Sequence, residues 1–449
     1  MFRFTPSRAL AAIAAAGLVA TGLTALAGGS AQADTTATTT ALSSNWYAAA
    51  PYLMPLDNNP PNPTAVMAAT GIKAFQLAFV LAPDSGGCTP TWGGTNPVSS
   101  DTTVAAMISS IRAAGGDVSV SIGGYGGTKL GQVCGTPQAT AAAYQQVITT
   151  YGLHAIDFDL EEPEYENATA VANEIGAAQI LQQEDPGLYV SVTTPGTAAG
   201  TGWFGTQMLL QAKADGFTPN NFSIMPFDGG FNGAASEISA LQAFNTILMN
   251  TFGWTSAQAY AHEGVSMMNG RSDTGEYFYQ SDFQTVLNFA ESVGLARYTN
   301  WSVNRDQQCT PADDNGQTSG TCSSVPQQPW DFTKYSVLFA GATPPVTGPT
   351  ASASASAAPS SSPSTGPSTG PSSSPSSSPS SSASASPSPS ASASAPAGGG
   401  CTAAAWSSTT AYTGGSVVSY NGSDWTAKWW TQNDLPGGQA GVWTKDGPC

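Results

Sequence analysis

Eight short runs rich in β-branched and aromatic residues recur between residues 38 and 340, and Ala-rich stretches of helical character separate them. The runs are "SNWYAA" (44–49), "AFQLAFVLA" (74–82), "DVSVSIGG" (117–124), "AIDFDLEE" (155–162), "LYVSVTTPG" (188–196), "NFSIMPFD" (221–228), "EGVSMMNG" (263–270) and "ARYTNWSVNRD" (296–306). Segments such as "TVAAMISSIRAAGG" and "ATAVANEIGAAQILQQ" lie between them, so strand follows helix in repeated order. Strands that alternate with helices run parallel in a sheet, and eight such units in about 300 residues predict an α/β fold closed as a (β/α)₈ TIM barrel. An open doubly wound sheet is the alternative architecture. No phosphate-cradling G-x-G-x-x-G follows the first run, which weakens its nucleotide-binding form.

Both ends of the chain differ from this region. Residues 1–33 carry Arg3 and Arg8, then an Ala/Leu/Val run, then "AQA" before Asp34, the pattern of a secretory signal peptide cut after Ala33. The chain is therefore expected to be secreted, extracellular and monomeric, with no membrane span. Residues 341–400 are almost entirely Ser, Pro, Ala, Gly and Thr, and they predict a disordered linker. At about 3.1 Å per residue such a Pro-rich tether reaches on the order of 190 Å. It separates the barrel (38–340) from a small C-terminal module (401–449).

Six cysteines in an exported chain fit disulfides better than metal or redox chemistry: none forms a C-x-x-C pair, and only two histidines accompany them. No metal and no cofactor is expected. Six cysteines allow fifteen pairings. The linker isolates Cys401 and Cys449, and local pairing then favours Cys88 with Cys134 and Cys309 with Cys322. A net charge of -17 with twelve scattered Lys and Arg gives no footprint for nucleic acid or an anionic membrane.

Only 9% of the residues are charged, yet within "YGLHAIDFDLEEPEYEN" (151–167) the eight positions 157–164 hold five carboxylates: Asp157, Asp159, Glu161, Glu162 and Glu164. On a strand, Asp157, Asp159 and Glu161 share the face opposite to Ile156, Phe158 and Leu160. They line the barrel interior, with Glu161 nearest the C-terminal end where barrel enzymes place their chemistry. The Cα atoms of Asp159 and Glu161 are then about 6.6 Å apart, close enough for each charge to raise the proton affinity of the other. Pairing with buried bases would need Lys or Arg at inward positions of neighbouring strands, and Lys73 and Arg305 are the candidates. Glu162 and Glu164 fall beyond the strand and are expected to be solvated loop charges.

"HAIDFDLE" resembles the D-G-x-D-x-D-x-E signature of glycoside hydrolase family 18, the chitinase family, and "SIGG" (Ser121 to Gly124) resembles its S-x-G-G motif on the preceding strand. "IMPFD" is similar to the family's sixth-strand M-x-x-D, and "WSVNRD" places Trp301 on the eighth. The resemblance implies hydrolysis of β-1,4-linked N-acetylglucosamine with retention, in which the substrate's own acetamido oxygen attacks the anomeric carbon. It implies Glu161 as general acid and then base, Asp159 as the group that holds the acetamido and stabilises the oxazolinium, and Asp157 sharing a proton with Asp159. Asp228, Trp301, Met225, Phe227, Ser121, Gly123 and Gly124 are the implied substrate-binding positions. Two positions depart from the pattern. His154 replaces the motif's first Asp at the base of the strand, and Phe227 stands where many members carry a Tyr whose hydroxyl binds the acetamido oxygen. About 26 residues between the seventh and eighth strands leave no long insertion to wall a tunnel, which implies an open cleft and endo cutting.

Residues 401–449 begin and end with cysteine and hold five of the eleven tryptophans. Closing Cys401 to Cys449 would contribute roughly 4 kcal/mol to so small a core, by the chain-entropy estimate. The spacing around "AKWWTQ" resembles carbohydrate-binding module family 5/12, which implies an all-β module that binds chitin through flat aromatic faces. Trp429 and Trp430 are the implied exposed pair and Trp443 a further contact, although Trp406, Trp425 and Trp443 are also candidates for the module's core. The implied partners are chitin and chitooligosaccharides. The same barrel residues also suit an endo-β-N-acetylglucosaminidase acting on N-glycans, and the two departures leave open a chitin-binding protein with an inert barrel.

Overall fold

The computed structural model describes residues 41–345 and, of the C-terminal segment, 403–407, 410–412, 416–427, 431–432, 435–437 and 442–448. The signal-like residues 1–33, linker residues 346–400, Cys401, Cys449, Trp429 and Trp430 lie outside the described residues.

Eight parallel strands follow one another around a sheet in chain order: β1 (Tyr52–Leu53), β2 (Ala74–Leu81), β3 (Asp117–Gly123), β4 (Ala155–Asp159), β5 (Tyr189–Pro195), β6 (Asn221–Met225), β7 (Glu263–Met268) and β8 (Arg297–Trp301). A principal helix follows each: α1 (Pro63–Thr70), α2 (Thr103–Ala113), α3 (Pro137–Tyr151), α4 (Ala168–Glu184), α5 (Trp203–Asp215), α6 (Ala234–Phe252), α7 (Gln280–Val293) and α8 (Thr333–Phe339). The seam between β8 and β1 is closed by side chains: Thr299 Oγ1 donates to the Ala50 carbonyl at 2.5 Å, and the rings of Tyr52 and Trp301 meet edge-on at 5.7 Å.

One of the eight sequence expectations is corrected. "SNWYA" (Ser44–Ala48) is a short helix, and the first strand starts later, at Tyr52. A run this short has too few positions for its period to tell helix from strand. Here the exposed Ser44 and Asn45 begin the turn and the buried Tyr47 and Ala48 anchor it.

Alternation along the strands divides two environments. Phe75, Leu77, Val118, Val120, Ile122, Ile156, Phe158, Val190, Val192, Phe222, Ile224, Val265 and Met267 point outward into one hydrophobic layer beneath the helices. α7 shows the matching stripe, burying Phe283, Val286, Leu287 and Ala290 at helical spacing. The inward positions are instead polar: Gln76, Ser121, Asp157, Asp159, Ser191, Thr193, Asn221, Ser223, Ser266, Arg297 and Thr299 are all buried. Barrels of this type usually fill that space with Val, Ile and Leu. This one fills it with hydrogen-bonding groups, and that fixes where the site lies.

Local signals set the approach to β4. The Thr136 side chain caps α3 by accepting from the Ala139 amide, and α3 ends at Gly152, whose φ of +56° a glycine adopts at little cost. Three residues later the chain enters β4 with Ile156 and Phe158 facing the helices. Phe158 packs edge-on against Tyr144 of α3, with ring centroids 5.5 Å apart.

The described part of the C-terminal segment is all β. Val417–Tyr420, Ser423–Ala427 and Trp443–Pro448 form an antiparallel three-stranded sheet, and Ala411–Tyr412 pairs with Thr431–Gln432. Its core is Val418, Ala427, Val442 and Trp443, with Trp406, Tyr412 and Trp425 packed on it.

Candidate active site

Asp157 is fully buried and sits at the centre of the polar interior. Its Oδ1 accepts from Ser191 Oγ at 2.5 Å and Thr193 Oγ1 at 2.9 Å, and lies 3.2 Å from Arg297 Nη1. Its Oδ2 accepts from Tyr52 OH at 3.0 Å, Gln76 Nε2 at 2.9 Å and Ser121 Oγ at 2.8 Å. The buried base is therefore Arg297, at the start of β8, and neither sequence candidate. Lys73 is exposed against the ring of Trp46, and Arg305 is bound to the carbonyls of Ser319, Asn269 and Arg271. Position 264 on β7 is a glycine because a Cβ there would collide with Ser223 and crowd Arg297. Burial works against the charge of Arg297, but Asp157, Tyr52 and Tyr189 together outweigh it and hold the guanidinium above its usual range. Among the described residues no hydrogen bond joins the Asp157 and Asp159 carboxyls.

Asp159, two residues up β4, is also buried, and its Oδ1 has no hydrogen-bond partner among the described residues. Burial first, then Glu161 and Asp157, push its carboxyl well above the usual range, against the pull of Arg297 and Lys129. Glu161 stands just past the strand, half-buried, with its proton affinity raised to about 8 by burial and then by Glu162; Lys129 opposes the rise, while Asp228 and Asp273 add to it. A group poised near neutrality can give a proton and take it back.

Both residues line an open cleft of about 1090 Å³ at the C-terminal mouth of the barrel. Met225, Phe227, Asp228 and Trp301 line it too, so the ends of β4, β6 and β8 contribute to one wall. Trp301 stacks on Phe79, centroids 5.5 Å apart and planes 12° from parallel. The peptide bonds Ala78–Phe79 and Trp301–Ser302 are cis. Asp228 sits at a φ of +61°, and its Oδ1 accepts from the amide of Thr274 at 2.9 Å and from its hydroxyl at 3.2 Å. Thr274 belongs to a hairpin, Gly270–Arg271 with Tyr277–Phe278, that also brings Asp273 to the cleft.

The S-x-G-G residues lie beneath this cleft. Ser121 is bound to Asp157, and Gly123 and Gly124 give clearance: a Cβ at Gly123 would collide with the Asp159 carbonyl oxygen, and one at Gly124 would come within 2.7 Å of the Phe79 ring. Their neighbours Tyr125, Gly126 and Gly127 line the cleft instead. Tyr52, Phe79, Tyr125 and Asp273 were not singled out in the sequence. Alternation on the second run, with its polar Gln76 facing inward, was the one signal that separated the two faces there.

Glu164 is the clearest correction. It is fully buried with its carboxyl against Glu174 of α4, and burial, then Glu174, push its proton affinity well above the usual range. In the turn after β4 Glu164 and Tyr165 point inward, while Pro163 is exposed and Glu162 half-exposed. Glu174 itself accepts from Tyr144 OH and the Gly131 amide, each at 2.6 Å. His154 lies at the opposite end of β4, its Nδ1 2.9 Å from Asp117 Oδ2, in a cluster with Arg112 and Tyr47.

Two disulfides are present, Cys88–Cys134 and Cys309–Cys322, with Cα separations of 4.9 and 5.0 Å. In the C-terminal module Trp443 is 6% exposed and packs edge-on against Tyr412 at 5.3 Å. This ring belongs to the core of the module, with Val418, Ala427 and Val442, and presents little surface to a ligand. Trp425 is half-buried, donates from Nε1 to the Tyr420 carbonyl, and has Lys445 Nζ 5.6 Å over its ring.

The fold and cleft define a (β/α)₈ barrel with buried and half-buried carboxyls at its C-terminal mouth. It shares its fold with the catalytic domain of a hyperthermophilic chitinase from Pyrococcus furiosus, at a TM-score of 0.58 and 24% identity, over 65% of this chain and 93% of that one. Residues 405–444 match the model of carbohydrate-binding module family 5/12. A probable bifunctional chitinase/lysozyme of Escherichia coli (strain K12) is 28% identical over 282 residues, which cover 57% of this chain and 30% of that protein. Endochitinase 11 of Metarhizium anisopliae is 27% identical over 283 residues, covering 57% of this chain and 52% of the relative. This chain therefore spans about a third to a half of the length of these curated relatives.

Proposed function

We propose that this chain is a secreted, endo-acting chitinase of glycoside hydrolase family 18 that cleaves β-1,4 linkages between N-acetylglucosamine units with retention. The observation that carries the reading is Glu161, its carboxyl raised to about 8, beside the unpartnered Oδ1 of buried Asp159 at the floor of an open cleft. The likeness to chitinases in sequence and fold, and the family 5/12 match of residues 405–444, support chitin as the substrate.

In this reading Glu161 gives its proton to the glycosidic oxygen as the bond to the anomeric carbon breaks. The acetamido carbonyl oxygen of the same sugar forms the new bond to that carbon, and the oxazolinium results. Asp159 takes the acetamido N–H and stabilises the positive charge that develops there. Glu161, now ionised, removes a proton from the water that reopens the ring, which restores both the enzyme and the original anomeric configuration. Trp301, stacked on Phe79, floors the sugar undergoing this change. Residues 1–33 direct export, and the C-terminal module keeps the barrel at an insoluble surface, where tethering raises the local concentration of enzyme.

The test is incubation with colloidal chitin, chitin oligosaccharides and an N-glycosylated protein, alongside Glu161→Gln. Chitooligosaccharides released by the wild type and not by the variant support the reading. Release of glycan, or binding to chitin with no release, overturns it.

A further inference from the structure

Lys129 lies between the loop that follows β3 and the turn that carries Glu161, and it is 1% exposed. Its Nζ donates to the carbonyls of Tyr125 at 2.9 Å, Gly127 at 3.3 Å and Glu162 at 3.4 Å. An ammonium has three N–H donors, and here each has a backbone acceptor. Tyr125 and Gly127 line the cleft, and Glu162 is the neighbour of Glu161 in the chain. The side chain thus ties one wall of the cleft to the residue next to the acid.

The lysine is itself fixed. Its amide donates to Gln132 Oε1 at 2.9 Å, and the short helix it opens, Leu130–Val133, is docked on α4 by Glu174, which accepts from the Gly131 amide, and by Asn173, which donates to the Gly131 carbonyl. Among the described residues Lys129 makes no direct ion pair. Burial lowers the proton affinity of its ammonium, and the carboxyls around it work against that: Glu164, Glu161 and Glu162 from the turn, and Asp159 from β4. Glu174 faces the same space from α4, held by Tyr144 of α3. Glu161 also faces Asp228 and Asp273 across the cleft.

A buried cation with no ion pair is costly unless the surrounding field favours it. A structural tie between loops needs no charge, and a neutral amide could satisfy two of the three carbonyls. We propose that Lys129 is a positioning residue for Glu161: it pins the turn that presents the carboxyl and supplies a positive charge behind it. The charge opposes the rise that burial and the neighbouring acids impose on Glu161, and it keeps that carboxyl able to ionise for the second half of the reaction. This role rests on Glu161 as the acid/base, and the test below separates the two.

The full-length protein labelled with δ-¹³C glutamate is titrated by NMR as wild type, Lys129→Gln and Lys129→Arg, with the Glu161 signal assigned from Glu161→Gln. In Lys129→Gln the Glu161 midpoint is expected to rise by about one pH unit. Lys129→Arg restores it towards the wild-type value, and kcat falls about tenfold in the Gln variant with KM little changed. The basic limb of kcat/KM against pH moves with the NMR midpoint. An unchanged midpoint in folded Lys129→Gln, whatever its melting temperature, overturns the proposal and leaves a loop tie only. Should Lys129→Gln not fold, ε-¹³C lysine in the wild type carries the test: the Lys129 signal registers the Glu161 titration and loses that inflection in Glu161→Gln, and its absence overturns the proposal. A wild type that releases no chitooligosaccharide sinks the assigned reaction, while the titration still decides the coupling.

Discussion

Arg297, at the start of β8, and Asp157, in the middle of β4, meet inside the barrel with Nη1 3.2 Å from Oδ1, and neither is exposed. Removing one partner of a buried pair leaves the other charge uncompensated, at about 3–5 kcal/mol. Asp157→Ala is therefore expected to lower the urea midpoint by that equivalent. It should cost more than Ser121→Ala, which removes one of several donors and about 1 kcal/mol. Equal losses in the two variants would show that the pair carries no special weight.

Glu161→Gln retains the shape of the side chain and removes the proton that the proposed reaction transfers. It should lower kcat by about 10²–10⁴-fold with KM nearly unchanged. Binding to chitin particles should persist in a pull-down. A fall in KM-dependent terms alone would assign Glu161 to substrate binding.

Phe227 lines the cleft without a hydroxyl. Phe227→Tyr supplies one where the family resemblance puts a bond to the acetamido oxygen, and a single hydrogen bond is worth about 0.5–1.5 kcal/mol. Steady-state kinetics on a chitin oligosaccharide should show kcat raised about two- to tenfold. A slower variant would mean that this cleft has settled on another way to hold the sugar.

Burial pushes Glu164, Glu237 and Glu263 well above the carboxylate range, raises Glu174, and brings Asp306 to about 6. The folded chain then binds protons that the unfolded chain has released. Their contribution is complete below the unfolded value, about 4, and is lost as pH rises through the folded values. Asp117, where burial is outweighed by Tyr47, His154 and Arg112, and Glu276, held by Ser272 and Thr274, are shifted down, so they act in the opposite sense and fail on acidification. The guanidinium midpoint should accordingly be higher at pH 5 than at pH 8. Glu237, whose oxygens have no partner among the described residues, offers the direct check: Glu237→Gln should flatten the decline, and an unchanged slope would assign it elsewhere.

Trp443 fills the core of the C-terminal module, so Trp443→Ala should cost about 3–5 kcal/mol and unfold it, as seen by loss of near-UV circular dichroism. Trp429→Ala and Trp430→Ala are expected to weaken chitin binding and leave the fold intact. Reversal of these two outcomes would exchange the roles of the rings.

Seven of the eight strands were legible because a period of two persists over five to eight residues on each. The first was not, since two residues at Tyr52 carry no period and the aromatic pair in Trp46 and Tyr47 imitates a strand. Arg297 could have been found from the same period: it shares parity with Trp301, which the motif had already turned inward. Glu164 could not, because its burial depends on where the turn after β4 meets α4, a matter of packing between elements distant in sequence. Trp443 shows the limit of counting aromatics. Composition marks a ring-rich module, and only the pairing of Trp443–Pro448 against Ser423–Ala427 decides which ring is enclosed.

The donors around Asp157 come from β1, β2, β3, β5 and β8, so a single carboxylate ties five other strands to β4. The cleft's outer wall depends on different segments, the glycine loop at 125–127 and the hairpin around Thr274. Foundation and aperture are thus separable. Loop exchange at the mouth could retune which polymer enters while the framework beneath stays intact, which makes the hairpin the natural place to graft new selectivity.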